Sequence, residues 1–378
     1  MINLLLKFGG LQALLMVVFL VRKKANTKAN KILVLLIFLL GFSCVVYSFN
    51  NLDFYIQFPH FIRIDWGIPL LFGPLIYLYT KRLLNKEKSQ EKDSLHFLPY
   101  FINVVVLIPF FIKPSEKKIQ ILDYFTASIT GGTDYYSFYN FLLKLIISIV
   151  SISYAYNSIK IVQNYKDKLL SEYSSTEKLR LDWLRDFLYC FMVLSVAFAI
   201  ISLITYGDRY PQFDYFIYYY LFVFLLIYIV SYKAYSQPQI VDFHDSNTIM
   251  EEKIKLKPKS FDSNVKSFEQ VELIKRFMIN SKPYLIGELT ASELAKMLSI
   301  SRHELSQLLN NHLNQNFYDF INEHRISEFK TRIEMPENNH LTLLGVAFDS
   351  GFNSKTTFNT IFKKSTGLTP SQYKKSIK

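Results

Sequence analysis

The residue types that most often carry catalysis or bind metals are few in this chain, and their spacing fits neither use. Its 378 residues contain seven scattered histidines: His60, His96, His244, His303, His312, His324 and His340. We find no HExxH pair, Ser/His/Asp arrangement, paired catalytic carboxylates or phosphate-binding loop. Two cysteines, Cys44 and Cys190, are too few for a disulfide framework or a Cys-rich zinc site. We therefore expect no enzyme, no metal and no cofactor.

Two hydroxyl–carboxylate pairs in the last third of the chain predict helix starts. Thr290 with Glu293, and Ser301 with Glu304, fit the capping box, in which each side chain binds the other residue's unpaired backbone amide. Apolar residues at helical spacing follow both pairs: Leu294, Ala295 and Leu298, then Leu305, Leu308 and Leu309. A helix, a short turn and a second helix form the helix-turn-helix outline.

The same pattern recurs about 52 residues later in the chain. Val346-Ala347 corresponds to Leu294-Ala295, and Gly351 supplies a turn residue suited to a positive φ. The second helix of this unit is predicted at 354–364, with inward-facing side chains at Phe358, Ile361 and Phe362. An amphipathic helix over Phe317–Ile333 joins the two units. Thr369-Pro370 begins a last short helix, since proline is favoured at the first helical position.

These elements resemble the DNA-binding domain of the AraC/XylS family of transcription regulators. The resemblance covers Leu289–Lys375 and rests on ELAKMLSISRHELSQLLN, NFYDFINEHRI and the more specific GFNSKTTFNTIFKKSTGLTPSQYKK. It implies two helix-turn-helix units tied by a long helix, each placing one helix in the major groove. Successive grooves on one face of DNA lie about 34 Å apart. The expected partner is double-stranded DNA at a promoter, and homodimerisation and contact with RNA polymerase are further expectations.

The resemblance also identifies side chains at the base-reading positions of the family. Matched onto this chain they are Arg302, His303, Ser306 and Gln307 in the first recognition helix, and Lys355, Thr356, Asn359 and Thr360 in the second. Arg302 suits guanine, and Gln307 or Asn359 suits adenine, because these side chains can make two hydrogen bonds to one base edge.

Contacts with DNA phosphates are expected from basic residues nearby. Lys363, Lys364 and Arg325 are candidates for phosphate contacts or for structural roles, and Arg325 is equally suited to an internal salt bridge. The chain reads Asn310-Asn311-His312 where many relatives have a basic pair. Phosphate affinity is therefore expected to be modest, so that pairing or clustering of copies would be needed for tight occupancy.

The first two-thirds of the chain are apolar enough to cross a lipid bilayer repeatedly. A spanning helix needs about 20 mostly apolar residues. Seven candidate spans meet this need: Leu4–Val21, Ile32–Phe49, Ile62–Thr80, Leu95–Ile112, Phe138–Val162, Trp183–Thr205 and Tyr215–Tyr235. The third is the least regular, with Arg63 and Asp65 near its start and Pro69 and Pro74 inside it.

The distribution of charge predicts the orientation of these spans. The chain carries a net charge of +12. Residues 22–31, 81–94 and 160–180 each hold five Lys or Arg, against five in total in the opposite loops. Because positive loops stay in the cytoplasm, we expect a multi-pass protein of the cell (inner) membrane with its N-terminus outside and its C-terminal domain in the cytoplasm.

The predicted fold class is all-α: a seven-helix membrane bundle followed by a soluble domain. The expected domains are a membrane domain at 1–235, a cytoplasmic linker at 236–265 and the DNA-binding domain at 266–378. Phe72–Leu84 (FGPLIYLYTKRLL) and His96–Tyr100 (HFLPY) resemble the seven-span region of membrane-bound regulators of the same family.

The favoured function is a membrane-embedded one-component regulator that responds to a signal sensed by the membrane domain. The sequence identifies neither that signal nor a ligand. Ionisable residues within the spans, such as Lys144, are scarce, which argues against a transporter. The alternative is a membrane transporter or receptor whose C-terminal domain serves as a protein-interaction adaptor.

Overall fold

The computed structural model describes residues 2–24, 27–84, 91–120, 135–177, 179, 181–207, 215–236, 264–338 and 340–377. They divide into two compact units, Met1–Gln163 with Leu181–Asp242, and Asn164–Arg180 with Phe243–Lys378. Within the described ranges there is no β-strand, and an isolated antiparallel bridge joins Tyr173 to Thr290. The prediction of an all-α fold is confirmed.

Long apolar helices dominate the first unit. Its main helices are, in chain order, α1 (Ile2–Arg22), α2 (Thr27–Ser48), α3 (Leu52–Gln57), α4 (Phe72–Leu84), α5 (Leu98–Phe111), α6 (Tyr135–Glu172), α7 (Asp182–Gly207) and α8 (Tyr215–Ser236). Residues 164–172, at the end of α6, belong to the second unit. Among the residues that the structure describes, six stretches are long and apolar enough to cross a membrane: Asn3–Arg22, Lys28–Ser48, Asp93–Phe111, Phe138–Glu172, Asp182–Ile204 and Phe216–Ser236.

The predicted third span, Ile62–Thr80, is wrong as a continuous helix. It is broken by Gly67, whose φ is +91°, and by the 3-10 turn Ile68–Leu71, which contains Pro69. Helix α4 begins only at Phe72 and has 13 residues, so it extends about 20 Å at 1.5 Å per residue, against a hydrocarbon core of about 30 Å. Most of its side chains are buried within the unit.

Small residues let the first two helices approach closely. Gly10 of α1 lies against Gly41 of α2, and a Cβ atom at Gly41 would collide with the side chain of Ala13. Such small-residue crossings are typical of helices that pack inside a bilayer. Helix α1 also packs on α8, and α2 packs on α4.

The second unit contains the shorter, amphipathic helices. They are α9 (Asn264–Ser281), α10 (Ala291–Met297), α11 (Arg302–His312), α12 (Phe317–Glu334), α13 (Leu343–Asp349), α14 (Lys355–Thr366) and α15 (Pro370–Ser376). The predicted linker at 236–265 falls outside the described residues over 237–263; Ser236 ends α8 and Asn264 begins α9.

Helix α12 contributes to two hydrophobic cores. Its first half, with Phe320 and Ile321, packs in a core with α9, α10 and α11. Its second half, with Phe329 and Ile333, packs in a separate core with α13 and α14. Phe329 is fully buried, with its ring centroid 4.7 Å from that of Phe358. The long helix predicted at Phe317–Ile333 therefore supports both helix-turn-helix units.

Candidate nucleic-acid interface

Side-chain caps fix the first helix-turn-helix. Thr290 and Glu293 form the predicted capping box at the start of α10: Thr290 N donates to Glu293 Oε2 at 2.8 Å, and Glu293 N donates to Thr290 Oγ1 at 3.2 Å. At α11 only half of the predicted box forms, because Ser301 Oγ accepts from Glu304 N at 3.1 Å while the Glu304 carboxylate accepts from Gln270 Nε2 at 2.7 Å. Glu304 thus ties α11 to α9.

The four candidate base-reading side chains of α11 differ in exposure. His303 and Gln307 are exposed, whereas Arg302 and Ser306 are half-buried. Arg302 forms an ion pair with Glu172 through its Nε. Ser306 accepts a hydrogen bond from Asn310 Nδ2 at 3.3 Å, and both residues line a small gap with Ser171.

In the second helix-turn-helix, the candidate DNA-contacting side chains are exposed. Ser354 caps α14 by accepting from Thr357 N at 3.4 Å, and Gly351 in the preceding turn has the predicted positive φ of +94°. Phe358 and Phe362 are buried as predicted, and Ile361 is half-buried. The polar side chains on the opposite face are all exposed: Lys355, Thr356, Asn359, Thr360, Lys363 and Lys364.

An open groove runs along the end of α14. Asn359, Thr360, Lys363 and Lys364 line it together with the first residues of α15. Lys364 pairs with Asp319 of α12 at 3.3 Å, but its side chain is 74% exposed, so the pair is screened by water. The groove thus combines hydrogen-bonding groups with positive charge, the combination that suits a nucleic-acid backbone and its base edges.

Arg325 has a structural role in the interior. It is 1% exposed, and instead of a salt bridge it donates to backbone oxygens: Nε to Tyr284 at 2.8 Å, and Nη2 to Ile286 at 2.8 Å and Gly287 at 3.1 Å. Burial lowers its pKa to about 10, so it remains charged at neutral pH. Of the two alternatives, the structural role of Arg325 is confirmed, through main-chain carbonyls rather than a salt bridge, and the phosphate contact is wrong because the side chain is enclosed.

A second buried polar group lies one turn further along α12. Glu328 accepts from Lys282 Nζ at 2.9 Å, from Tyr284 OH at 3.1 Å and from Arg332 Nε at 2.8 Å. Burial alone would raise its pKa, but these hydrogen bonds outweigh burial and hold the pKa below the ordinary glutamate value. Glu328 and Arg325 together fix the 282–287 loop, which packs beside the turn at Gly351.

Residues 172–176 form a part of this unit that sequence reasoning missed. Ser174 is 1% exposed; its N and Oγ donate to Leu289 O at 3.1 and 2.7 Å. Its own carbonyl oxygen accepts from Arg325 Nη1 and from Asn322 Nδ2, both at 3.2 Å. No sequence signal marks these contacts, since the segment follows an apolar helix in a lysine-rich loop.

Within the described residues, no group of three His, Cys, Asp or Glu side chains could hold a metal ion.

Comparison with protein families supports the assignment of the C-terminal unit. Residues 294–376 match the family described as Helix-turn-helix domain. No curated protein and no solved structure matches the chain. The match begins at Leu294 in α10 and ends in α15, so it contains both candidate recognition helices.

Proposed function

We propose that this chain, with its helix-turn-helix domain at residues 294–376, is a membrane-embedded transcription regulator of the AraC/XylS type. Its C-terminal unit binds double-stranded DNA sequence-specifically, and its N-terminal unit anchors it in the cell membrane and senses a signal. The observation that carries the proposal is the duplicated helix-turn-helix, whose helices α11 and α14 direct polar side chains away from two separate cores.

The division of labour within the DNA interface follows from the chemistry of the side chains. Arg302 pairs with guanine, and Gln307 and Asn359 pair with adenine, because their donors and acceptors match those base edges in the major groove. Lys363 and Lys364 contact phosphates, which adds affinity without sequence preference. His303, Ser306, Lys355, Thr356 and Thr360 complete the two reading surfaces. One domain thereby reads an elongated, asymmetric site in two successive grooves.

The membrane placement is supported by the six apolar helices of spanning length found in the described part of the chain. It is also supported by the excess of Lys and Arg in residues 22–31, 81–94 and 160–180. The proposed topology has the N-terminus outside and the C-terminal unit in the cytoplasm, where it reaches DNA. It requires the broken segment Ile68–Leu84 to cross as well, which is tolerated for irregular backbone that is buried within protein.

Regulation by a one-component mechanism is the simplest account of this chain. Signal sensing and DNA binding reside in one polypeptide, and no enzymatic step is required. A homodimer would double the number of phosphate contacts and so compensate for the modest charge around α11. Contact with RNA polymerase would convert occupancy of the site into altered transcription.

The proposal is tested by selecting DNA with the full chain. Detergent-purified protein is mixed with fragmented genomic DNA at about 50 and 200 mM salt, and bound fragments are sequenced. The expected result is that the bound fragments share a common motif and remain bound at the higher salt concentration. Gln307→Ala and Asn359→Ala each relax the motif at one position, and the matched change Asn280→Ala, on the exposed face of α9, leaves it intact.

Binding without any shared motif, lost at the higher salt, would contradict sequence-specific regulation. A complete lack of binding at both salt concentrations would favour the adaptor alternative, in which the C-terminal unit recognises protein. The selected motif also supplies the duplex needed for the quantitative tests below.

A further inference from the structure

We propose that residues 172–176 form a clamp that holds the first recognition helix, α11, in a form that cannot bind DNA. This inference rests on the proposed function, since it concerns how the same DNA-binding unit is regulated. The clamp is the segment of chain that follows the apolar part of α6, and it belongs to the same compact unit as α9 to α15.

The clamp is anchored to the start of α10 and to α12. Tyr173 forms an antiparallel bridge with Thr290, the residue that caps α10. Ser174 is bonded to Leu289 O and to the buried Arg325 of α12. Because Ser174 and Thr176 are each 1% exposed, the segment is an integral part of the packing rather than a loop lying on its surface.

Glu172 connects the anchored segment to the recognition helix. Its Oε1 accepts from Ser292 Oγ of α10 at 2.8 Å, and its other oxygen pairs with Nε of Arg302, the first residue of α11. The Glu172 side chain is 7% exposed, while Arg302 remains 37% exposed. The carboxylate is thus largely enclosed between α10 and α11, with an arginine at a candidate base-reading position as its counter-ion.

The two recognition helices of this unit differ in the exposure of their candidate side chains. On α14 the side chains at all four candidate positions are exposed. On α11 the two half-buried ones, Arg302 and Ser306, are those that face Glu172 and Ser171. Both helices have the same helix-turn-helix fold, but only α11 contacts the clamp. The lower exposure of Arg302 and Ser306 therefore accompanies the clamp contact.

The clamp and DNA compete for the same groups. A guanidinium that is paired with Glu172 cannot use the same Nε edge to bind guanine bidentately. Entry of α11 into a major groove would also bring the Glu172 carboxylate toward the phosphates, which repel it. DNA binding by the first unit therefore competes with the Glu172–Arg302 pair and is stronger once Glu172 leaves Arg302.

The position of the clamp in the chain suggests how it is released. Residues 173–181 connect α6 to α7, and both helices contain stretches long and apolar enough to cross a membrane. A change at the end of either helix would act directly on Glu172 and Ser174. The released form binds DNA with both recognition helices, whereas the clamped form binds DNA through α14 alone.

A reversible cross-link tests the clamp in the full chain. Tyr173→Cys and Thr290→Cys are introduced together with Cys44→Ser and Cys190→Ser, so that no other thiol is present. Bridge partners have Cα atoms about 4.5–5.5 Å apart, within the range of a disulfide. The oxidised protein should bind the selected duplex at least about tenfold more weakly than the same protein after reduction.

A charge-neutral variant provides the complementary test without a cross-link. Glu172→Gln should bind the duplex about tenfold more tightly than the unaltered chain, because the clamped form becomes less populated. Asp167→Asn is the matched control: it removes an exposed carboxylate five residues earlier on the same helix, and its affinity should stay within about twofold of the unaltered chain.

The outcomes distinguish this inference from the proposed function. Equal affinity of oxidised and reduced protein, failure of the cysteine pair to cross-link, or equal affinity of Glu172→Gln and the unaltered chain would overturn the clamp while DNA binding stands. A complete lack of DNA binding by every form, Glu172→Gln included, would overturn both proposals together.

Discussion

Arg325 of α12 donates from Nε to the backbone carbonyl of Tyr284, 2.8 Å away and 41 residues earlier in the chain. The same guanidinium binds the carbonyls of Ile286 and Gly287 and the clamp residue Ser174. One side chain thus holds together the long helix, the loop before the first helix-turn-helix and residues 172–176. Its charge compensates the carbonyl dipoles that these segments bury.

Replacing Arg325 should therefore loosen the whole second unit. Arg325→Lys cannot reach carbonyls on several sides at once, and the oxygens left unsatisfied should cost about 3 kcal/mol of unfolding free energy. Hydrogen exchange measured by mass spectrometry on the full chain should speed up about a hundredfold in α10 and α12. Arg276→Lys, on the exposed face of α9, is the control. Unchanged protection in Arg325→Lys would show that the network contributes little.

The Glu328 network predicts a pH dependence of stability. Because its hydrogen bonds lower the pKa of Glu328 in the folded unit, its contribution is fully present above the ordinary glutamate pKa and is lost as pH falls through the lower, folded value. Glu328→Gln should lose about 1–2 kcal/mol of stability at pH 7. The difference from the unaltered chain should shrink as the solution is acidified.

Urea unfolding monitored at pH 7 and in the acid range measures this difference. Glu337→Gln removes an exposed carboxylate from the turn after α12 and should match the unaltered chain at both pH values. A loss of stability in Glu328→Gln that is the same at both pH values would contradict the assigned role of its charge.

The two kinds of DNA contact should separate in binding experiments with the selected duplex. Asn359→Ala should cost about 1–3 kcal/mol and relax specificity at one base pair, because it removes a base-edge contact. Lys363→Ala should weaken binding to all sequences similarly and reduce the dependence on salt by about one phosphate contact. If both variants changed specificity, or neither did, the division between base reading and phosphate contact would be wrong.

The broken third span makes the membrane topology testable. The 3-10 turn Ile68–Leu71 and the 13 residues of α4 together extend about 28 Å, close to the thickness of the hydrocarbon core. If this segment crosses, Ile2→Cys in a chain lacking Cys44 and Cys190 should react with an impermeant thiol reagent in intact cells, whereas Lys378→Cys should react only after permeabilisation. Labelling of both sites only after permeabilisation would indicate an even number of crossings.

The helix-turn-helix units could be predicted because their signals are local. Thr290 with Glu293, the positive-φ glycine at 351, and the apolar spacing around Phe358 each specify structure within a few residues. The continuous helix predicted for the third span is wrong because mean hydropathy does not register the effect of Gly67 and Pro69 on the backbone. Hydropathy measures transfer into lipid, whereas helix continuity depends on the backbone hydrogen bonds of individual residues.

The role of Arg325 and the clamp could not be read from the sequence for a different reason. Both depend on residues far apart in the chain, since Glu172 meets Ser292 across 120 positions and Arg325 meets Ser174 across 151. An arginine on an amphipathic helix has the same local pattern whether it faces phosphate or the interior. Only the packing of residues 172–176 and the 282–287 loop against α10 and α12 decides between these alternatives.

Whether the membrane-embedded chain occupies specific DNA sites can be measured in living cells. After cross-linking, the membrane fraction is isolated first, and the DNA that co-purifies with the tagged full chain is sequenced. We expect a small set of enriched sites that share one motif, and we expect these sites to be lost in the double variant Gln307→Ala/Asn359→Ala. Membrane-fraction DNA with no enriched sites, or the same sites in the double variant, would contradict this expectation.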